Sequence, residues 1–589
     1  MNSFLKTFLA CLLAVVASSI ISFFLFVALL TGLASFGSSQ TEYKVSKGSI
    51  LTLDLSIPLI EKPVTSPMEM IDLNTFKIKQ SITLRDAIAA VQKAAIDPNI
   101  DGILLKLPMS IPSSMASLYE LRQALAEFRG SEKFIISYGE VYSQGGYYLA
   151  SVSDKIYMYP AGGLEWSGLS SSVMFYKGAL DKLGVQAEII RHGKFKGAVE
   201  PFMREDLSPE NRLQIESMTS SIWDYMVAEI ARSRSIEPKL LDSYATNLTI
   251  DTPEKAVELG LVDSLMYKDE VNAELSYLTG KDKPAMVTLS QYKSTGFSNN
   301  GDVLSKNKIA IVYAEGGIVD SGDVSKEIVG EKLAKTIAGI RADSSVKAVV
   351  LRVNSPGGSA LASDVIWHEV ELTRKIKPVV VSMNSYAASG GYYIAAAADR
   401  IVTSPVTLTG SIGVFGVLFN AEKGAKDLLG ITVDIVNTNP SASVGNPFHQ
   451  ITPAEKVYIQ NGVDRVYTRF AGLVAEGRHM DYASVDSIGQ GRVWTGLQAV
   501  ENKLADRTGT LNDAIALAAE LSSVQDYRIK SYPEEDTSLG SLFMAMSEAT
   551  ATRIMGQSKP IIDQMDKIQK LVNRQGIRAD MPYDVTIHF

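Results

Sequence analysis

The stretch Tyr386-Ala-Ala-Ser-Gly-Gly-Tyr-Tyr393 is the one around which the rest of the chain is organised. It follows an apolar, β-branched run, Pro378–Met383, which predicts a buried strand. Ser389 then lies where the strand turns into a helix, and the two glycines behind it let the backbone approach a ligand closely. A serine at such a turn can expose its hydroxyl, and the Gly390 amide can donate to a developing oxyanion. A turn that needs only small residues explains the octapeptide equally well.

A second stretch of the same kind, Leu351-Arg-Val-Asn-Ser-Pro-Gly-Gly-Ser359, lies earlier in the chain. Here an apolar strand, Ala348–Val353, ends in Pro356-Gly357-Gly358, which is a turn signal and a source of backbone N–H donors. Two strand ends with free amides are what an oxyanion site on an α/β sheet requires. This second turn therefore favours a catalytic interpretation of Ser389.

Together with two further segments, these residues resemble the signal peptide peptidase A (protease IV) family in its long, two-repeat form, within the Clp protease/crotonase superfamily. The resemblance implies an α/β fold of two tandem Clp protease/crotonase-like repeats, built from ββα superhelical units, after one N-terminal transmembrane helix. It extends over nearly the whole chain beyond the N-terminal segment. The matching segments are Lys196-Gly-Ala-Val-Glu-Pro201, Asn354-Ser-Pro-Gly-Gly358, Ala387-Ala-Ser-Gly-Gly-Tyr392 and Leu408-Thr-Gly-Ser-Ile-Gly413.

An internal duplication is visible in the sequence itself. Three pairs of segments recur at a nearly constant offset of 245 or 246 residues: Gln144–Tyr148 with Ser389–Tyr393, Asp101–Leu107 with Lys347–Val353, and Leu183–Val185 with Leu429–Ile431. A constant offset across several elements indicates a repeat. The sequence therefore predicts three parts: an N-terminal transmembrane anchor at 1–43, a first repeat at 44–304, and a second repeat at 305–589 with a helical extension.

The two copies differ at the positions that would carry chemistry. Gln144 stands in the first copy where Ser389 stands in the second, and Leu107–Pro112 replaces the glycine-rich turn. Conversely, Lys196 belongs to the first copy, and the corresponding segment Asn439–Val444 has no lysine. Each copy keeps what the other lacks, so we expect one active centre where a first copy meets a second. We expect that contact within one chain, and the sequence leaves open a contact between neighbouring subunits.

A serine hydroxyl needs a base to take its proton, and a lysine can serve if burial removes its charge. The resemblance assigns Lys196, rather than the nearby Lys194, as this base and Ser389 as the nucleophile. It also implies that Ser411 orients the lysine amine, and that Gly390 with either Gly357 or Gly358 forms the oxyanion hole. His192, four residues from Lys196, is the competing base.

The composition excludes several classes of function. The 589 residues carry a net charge of −8 without a long basic run, which argues against nucleic acid as a partner. The single Cys11 excludes intrachain disulfides and a cysteine-based metal site. None of the five histidines forms a closely spaced pair, so a zinc enzyme is not expected, and no cofactor is predicted.

The N-terminal region predicts a membrane anchor. Thr7–Thr41 contains no charged residue, and the apolar part is longer than the core of a cleaved signal peptide. We expect one transmembrane helix, and an unusually long cleaved signal is the alternative. The resemblance implies a single-pass protein of the bacterial inner (cytoplasmic) membrane, with the catalytic body on the periplasmic side. It also implies a homotetramer.

Taken together, the sequence predicts a membrane-anchored serine endopeptidase with a Ser-Lys dyad. By resemblance its substrates are apolar peptides, such as remnant signal peptides after their release from preproteins. The main alternative is a crotonase-type enzyme acting on an acyl-CoA thioester, which would use the same two amides without a serine nucleophile. A binding or scaffold protein is the third class. Ser538–Asn573 has apolar residues at helical spacing, and Ile577–Phe589 suggests no structure or function.

Overall fold

The computed structural model describes residues 43–62, 81–295, 304–533 and 577–581, with short pieces at 8, 12–18, 20–21, 24, 71–72, 77–78, 301 and 586–588. The predicted anchor lies mostly outside the described residues, and the predicted helix Ser538–Asn573 lies outside them entirely. Among the residues that are described, no helix is both long and apolar enough to cross a bilayer.

The first half of the chain alternates strands and helices. Its strands are β1 (Ser49–Asp54), β2 (Leu59–Ile60), β3 (Ile71–Asp72), β4 (Lys77–Ile78), β5 (Ile82–Thr83), β6 (Ile100–Leu107), β7 (Phe134–Tyr142), β8 (Lys155–Leu164), β9 (Ser170–Ser172), β10 (Gln186–His192), β11 (Ser264–Leu265) and β12 (Met286–Thr288). Its helices are α1 (Leu84–Ile96), α2 (Met115–Arg129), α3 (Gln144–Ala150), α4 (Lys177–Lys182), α5 (Glu200–Met203), α6 (Pro209–Arg234), α7 (Pro238–Thr246), α8 (Pro253–Glu258), α9 (Lys268–Thr279) and α10 (Leu289–Lys293).

The second half repeats this alternation. Its strands are β13 (Lys308–Glu315), β14 (Ile318–Val319), β15 (Ile328–Val329), β16 (Val346–Ser355), β17 (Gly357–Ser359), β18 (Val379–Ala388), β19 (Arg400–Thr403), β20 (Leu408–Gly410), β21 (Val414–Asn420), β22 (Val493–Thr495), β23 (Arg507–Thr508), β24 (Arg528–Tyr532), β25 (Ile577–Asp580) and β26 (Thr586–His588). Its helices are α11 (Gly330–Ala342), α12 (Ala360–Arg374), α13 (Gly390–Ala395), α14 (Glu422–Leu429), α15 (Pro453–Gly477), α16 (Tyr482–Ile488), α17 (Gly496–Glu501) and α18 (Leu511–Leu521).

Each half builds its own mostly parallel sheet. The strand order is β11-β8-β7-β6-β1-β12 in the first half and β22-β20-β18-β16-β13-β24 in the second, where β19 also pairs with β18 and β23 pairs with β19. Helices cover both sheets, so their central strands are buried on both faces. Such strands consist of nearly continuous apolar residues, which is why the aliphatic runs in the sequence could be assigned to strands.

The duplication extends through the whole α/β unit. Helix α1 begins at Leu84 and its counterpart α11 at Gly330, while strand β7 begins at Phe134 and its counterpart β18 at Val379. These starting positions reproduce the offset found in the sequence. Later in the unit α9 and α18 keep nearly the same spacing. The same order of elements therefore occurs twice.

A third sheet joins the two halves. Its order is β10-β21-β25-β17-β14-β15, so β10 of the first half pairs with strands of the second. The pairing of β10 with β21 is antiparallel over its full length, from Gln186 opposite Asn420 to His192 opposite Val414. This pairing brings the loop after His192 to the second half of the chain.

A buried ion network also crosses between the halves. Arg352, on the buried strand β16, lies 2.9 Å from a carboxylate oxygen of Glu61 and 2.7 Å from one of Glu120. All three side chains are buried, and Ser382 accepts a further hydrogen bond from Arg352 at 2.8 Å. Because both carboxylates belong to the first half, the arginine ties the two halves together.

We expect Arg352→Leu to lower the free energy of unfolding by about 3–5 kcal/mol, because it leaves two buried carboxylates without their cation. Chemical denaturation measures the change. Arg341→Leu is the matched control, since Arg341 pairs with Glu369 where both side chains are partly exposed, and we expect a change below about 1 kcal/mol. Equal effects of the two substitutions would show that the network does not stabilise the contact between the halves.

Candidate active site

The site lies at the carboxyl ends of three adjacent parallel strands. Strand β18 pairs with β16 on one side and with β20 on the other. Ser389 is the first residue after β18, and Ser411 is the first residue after β20. The glycine turn Gly357-Gly358 follows β16 at the same edge. The fold therefore places these three predicted site segments together at the carboxyl edge, which is where ligands bind in open α/β sheets.

Ser389 adopts an unusual backbone conformation, with φ 55° and ψ −112°. A non-glycine residue at positive φ is uncommon and strained, and it persists where neighbouring structure holds it. Here the Ser389 amide donates to the Gly410 carbonyl at 2.8 Å, and its own carbonyl accepts from the Tyr393 amide at 2.8 Å. The turn thereby fixes where the Ser389 hydroxyl points.

Lys196 reaches this edge from the other half of the chain. It follows β10, and the amide of the preceding Phe195 donates to the Gln490 carbonyl at 3.0 Å. A methyl group placed on Gly491 would lie 2.7 Å from the Lys196 Cα, so glycine is what allows the two backbones to approach so closely. With the Gly413 backbone also against its stem, the Lys196 side chain is fully buried.

The Lys196 amine contacts both serines. Its Nζ lies 2.8 Å from Ser389 Oγ, 2.9 Å from Ser411 Oγ and 3.1 Å from the Ser411 carbonyl oxygen. A neutral amine has two N–H donors and one lone pair, one donor fewer than the ammonium. The two donors can therefore bind Ser411, and the lone pair is left to accept the Ser389 hydroxyl proton. All three contacts occur within one chain.

Burial sets the charge state of this amine. Loss of solvation lowers the pKa of the Lys196 ammonium from 10.5 to about 7, and the negative charge of Asp580 opposes the shift. Removing an ammonium from water disfavours its charged form, and the direct partners of Nζ among the described residues are uncharged oxygens. Near neutral pH a large fraction of Lys196 is therefore an uncharged amine that can accept a proton.

The two rival bases lie elsewhere. His192 Nδ1 is 2.7 Å from an Asp464 carboxylate oxygen, and its ring stacks on Tyr467 with centroids 3.8 Å apart. Lys194 is exposed, with its Nζ 5.5 Å from the centre of the Phe195 ring. Among the described residues, the amine that hydrogen-bonds to the Ser389 hydroxyl is that of Lys196.

The predicted oxyanion glycines converge beside Ser389. Gly357 and Gly358 have φ of +106° and +157°, conformations that strongly favour glycine. A methyl group placed on Gly357 would lie 2.8 Å from the Gly390 nitrogen, and one on Gly390 would lie 3.1 Å from the Gly358 nitrogen. The Gly357 amide already donates to Ser355 Oγ at 3.2 Å.

The equivalent position in the first half has a structural role instead. The Gln144 side chain accepts from the amides of Ser167 at 3.0 Å and Gly168 at 2.8 Å, and it donates to the Gly168 carbonyl at 3.0 Å. Both polar atoms of this side chain are therefore engaged in holding a loop. The first half therefore has no hydroxyl at this position that could act as a nucleophile.

Two features of the site were missed by sequence reasoning. Glu200, within the Lys196 segment, is fully buried and accepts from Asn211 at 2.7 Å and from the Ser208 amide at 3.1 Å, which holds this segment in place. The strand β25 lies directly against Gly357 and Gly390. Its alternation of apolar Ile577, Ala579 and Met581 with charged residues is a signal that could have predicted a strand.

A metal site is not evident in the part of the chain that the structure describes, since no group of three or more potential ligands is found there. The groups that the site itself presents are the Lys196 amine, the hydroxyls of Ser389 and Ser411 and the nearby backbone amides.

Comparison with known proteins identifies the family. The sequence pattern described as "Peptidase family S49" matches residues 127–282 and again residues 371–525, which confirms the prediction of two tandem repeats. The chain is 35% identical over 544 residues to Protease 4 of Salmonella typhi, covering 89% of this chain and 87% of that protein. It is 32% identical over 571 residues to Protease 4 of Haemophilus influenzae, covering 93% and 92%.

A shorter relative matches one part of the chain. The protein named "Putative signal peptide peptidase SppA" of Enterococcus faecium is 33% identical over 245 residues, which is 41% of this chain and 71% of that protein. Among solved structures, a single-residue mutant of ClpP1 from Listeria monocytogenes aligns with 36% of this chain and 95% of its own, at 16% identity and a TM-score of 0.24. Membership of the wider Clp protease/crotonase superfamily stays a prediction.

Proposed function

This chain belongs to peptidase family S49 and is a serine protease, and we propose that its nucleophile is Ser389 and its general base is Lys196. The observation that carries the proposal is the 2.8 Å contact between a fully buried lysine amine and the hydroxyl of a serine held at positive φ. The low pKa of Lys196, about 7, supplies the neutral amine that a base requires.

The first chemical step is attack on the peptide carbonyl. The Lys196 lone pair takes the Ser389 hydroxyl proton as the serine oxygen bonds to the carbonyl carbon. Ser411 accepts the two remaining N–H bonds of the amine through its hydroxyl and its carbonyl, at 2.9 and 3.1 Å. Ser411 is thus a positioning residue that directs the lone pair at Ser389.

The negative charge that develops on the carbonyl oxygen needs donors nearby. We assign these donors to the amides of Gly358 and Gly390, because the Gly357 amide is already donating to Ser355 Oγ. Two preorganised backbone donors in a buried site stabilise such an oxyanion. Removing one of them raises the activation free energy by on the order of 3 kcal/mol.

Collapse of this intermediate completes the reaction in two stages. The ammonium of Lys196 returns its proton to the leaving amine, which releases the carboxyl-side fragment and leaves an ester on Ser389. The neutral amine then takes a proton from water, whose oxygen attacks the ester carbonyl. The bond from Ser389 Oγ to the acyl carbon breaks, the ammonium returns its proton to Ser389 Oγ, and the N-terminal fragment leaves as a carboxylic acid. Each step uses the same amine alternately as base and acid, which a pKa near 7 allows.

We also propose a substrate class, a membrane location and an oligomeric state for this protein. The similarity to a protein named "Putative signal peptide peptidase SppA" supports signal peptides as substrates of this chain. Apolar remnant signal peptides are what the family resemblance implies. The uncharged run Thr7–Thr41 supports a membrane anchor, with the catalytic body on the periplasmic side of a bacterial inner membrane. A homotetramer follows only from the family resemblance.

Labelling with a fluorophosphonate tests the proposed nucleophile. The reagent phosphonylates an activated serine, so we expect one label per chain on the peptide that contains Ser389, and none in Ser389→Ala. A crotonase-type enzyme or a scaffold protein would use the same backbone amides without an activated serine, and it would not be labelled. Absence of label on the native protein, or equal label in Ser389→Ala, would contradict the proposal.

A further inference from the structure

Strand β25 fills a gap in the third sheet beside Ser389. It pairs antiparallel with β17, where Ala579 lies opposite Gly358, and antiparallel with β21, where Arg578 lies opposite Phe415. Without β25, the facing edges of β17 and β21 would be separated by one strand's width, about 10 Å. An extended peptide is the ligand that such a gap fits, because it can pair its backbone with both edges.

The position of Ala579 fixes how a peptide would lie in this groove. A methyl group placed on Gly357 would be 2.1 Å from the Ala579 carbonyl oxygen, and one placed on Gly390 would be 3.2 Å from it. The carbonyl of Ala579 therefore lies at the turn that carries the candidate oxyanion donors. In this register Ala579 takes the place of the substrate residue before the cleaved bond, and Asp580 that of the residue after it.

The same segment continues to a matching strand edge in the first half. Strand β26 pairs antiparallel with β9, with Ile587 opposite Ser171 and His588 opposite Ser170. Strand β9 is the counterpart of β21, because the offset of the duplication carries Ser170 and Ser171 onto Phe415 and Gly416. The pairings are equivalent too, since β25 meets β21 at these two positions as β26 meets β9.

The described residues 577–580 and 586–588 thus pair with equivalent edges of the two copies. Met581 and Thr586 are five positions apart in sequence, which limits the distance between their Cα atoms to about 17 Å. Resting on the function proposed above, we propose that β9 is a second peptide-binding site, which pairs with the backbone of the seventh to ninth substrate residues after the cleaved bond.

The chemistry of this second site makes it tolerant of sequence. Strand β9 is Ser170-Ser-Ser172, whose hydroxyl side chains offer no apolar pocket, so recognition comes from the hydrogen bonds of the strand backbone. The first copy, which lacks the serine nucleophile, then contributes to catalysis by holding the substrate. Because 577–580 and 586–588 occupy these two edges in the resting protein, a bound peptide must displace them, and short peptides compete at the groove beside Ser389 alone.

Two matched peptides test the second site on the full-length protein. Both carry the same apolar residues around the cleaved bond, and one has three residues after that bond and the other ten. A few additional ladder hydrogen bonds strengthen binding of the long peptide, so we expect its KM to be about tenfold lower with kcat unchanged. N-methylation of the seventh to ninth residues should remove this advantage, whereas N-methylation of the third to fifth, which fall between the two strands, should preserve it.

A protein variant makes the complementary test. Ser171→Pro disrupts the edge of β9, and we expect it to bring the KM ratio of the two peptides close to one. Ser171→Ala keeps the backbone amide and should keep the ratio at its native value. Equal KM values for the two peptides in the native protein, or an advantage that survives N-methylation at residues seven to nine, would overturn the second site. Cleavage of the short peptide by Ser389→Ala at more than about a tenth of the native kcat would instead overturn the proposed function.

Discussion

Ser389→Ala is expected to reduce kcat for peptide hydrolysis by at least about 10⁴-fold while the protein remains folded. Only the hydroxyl that we propose as the nucleophile is lost, and the Ser411 hydroxyl cannot replace it, because it is already engaged with an N–H of the Lys196 amine. Since the site's backbone donors remain, slow residual turnover above the uncatalysed rate is compatible with this account. Steady-state kinetics on an apolar peptide gives the number.

The control for this variant is a buried serine outside the site. Ser404 lies in the turn after β19, where its hydroxyl accepts from the Val406 amide at 3.3 Å, and Ser404→Ala should keep near-native kcat. Near-UV circular dichroism should show both variants folded. If Ser389→Ala retains more than about a tenth of native kcat, Ser389 is not the nucleophile.

Lys196→Met is expected to be as damaging as loss of the serine, because methionine fills a similar volume without a lone pair that can accept the proton. Lys196→Arg should fail as well, since a guanidinium remains charged in a protein. The double variant with Ser389→Ala should show no further loss, because residues that act as a unit are non-additive. Lys194→Met, two residues away and exposed, is the matched control and should keep native kcat.

Burial of Lys196 should also lower the free energy of unfolding by a measurable amount. Its pKa falls from 10.5 in the unfolded chain to about 7 in the folded protein, so between these pH values the unfolded state binds the extra proton. This group therefore makes stability rise with pH across that window, and its full cost, about 5 kcal/mol, is present below pH 7. Lys196→Met should remove this slope, and denaturation at pH 7 and pH 9 compares the two proteins. An unchanged slope would mean that Lys196 is not buried as an amine.

Much of the site could be predicted from local sequence. Apolar strands that end in glycine-rich turns predict both the Ser389 turn and the Gly357-Gly358 turn, because buried parallel strands and tight turns have local signatures. The pairing of Lys196 with Ser389 has no local signature, since 193 residues separate them. That prediction depended on the family resemblance and on noticing that each copy lacks one partner.

The remaining features depend on long-range register that short segments do not encode. Strand β25 is short, and its partners Gly357 and Gly358 lie far earlier in the chain. Arg352 stands within an apolar run, and nothing near it in sequence indicates that Glu61 and Glu120 would neutralise it. Such pairings are decided when the two halves pack against each other.

The measurement that tests the central claim most directly is the pH dependence of fluorophosphonate inactivation. With Lys196 as the proposed base, phosphonylation of Ser389 requires its neutral amine, so the second-order rate constant should rise with pH through an apparent pKa near 7 and level off above it. His192→Gln should leave that pKa unchanged, and Lys196→Met should leave only slow inactivation without the transition. A transition that persists in Lys196→Met and disappears in His192→Gln would show that the histidine is the base, and the Ser-Lys account would be wrong.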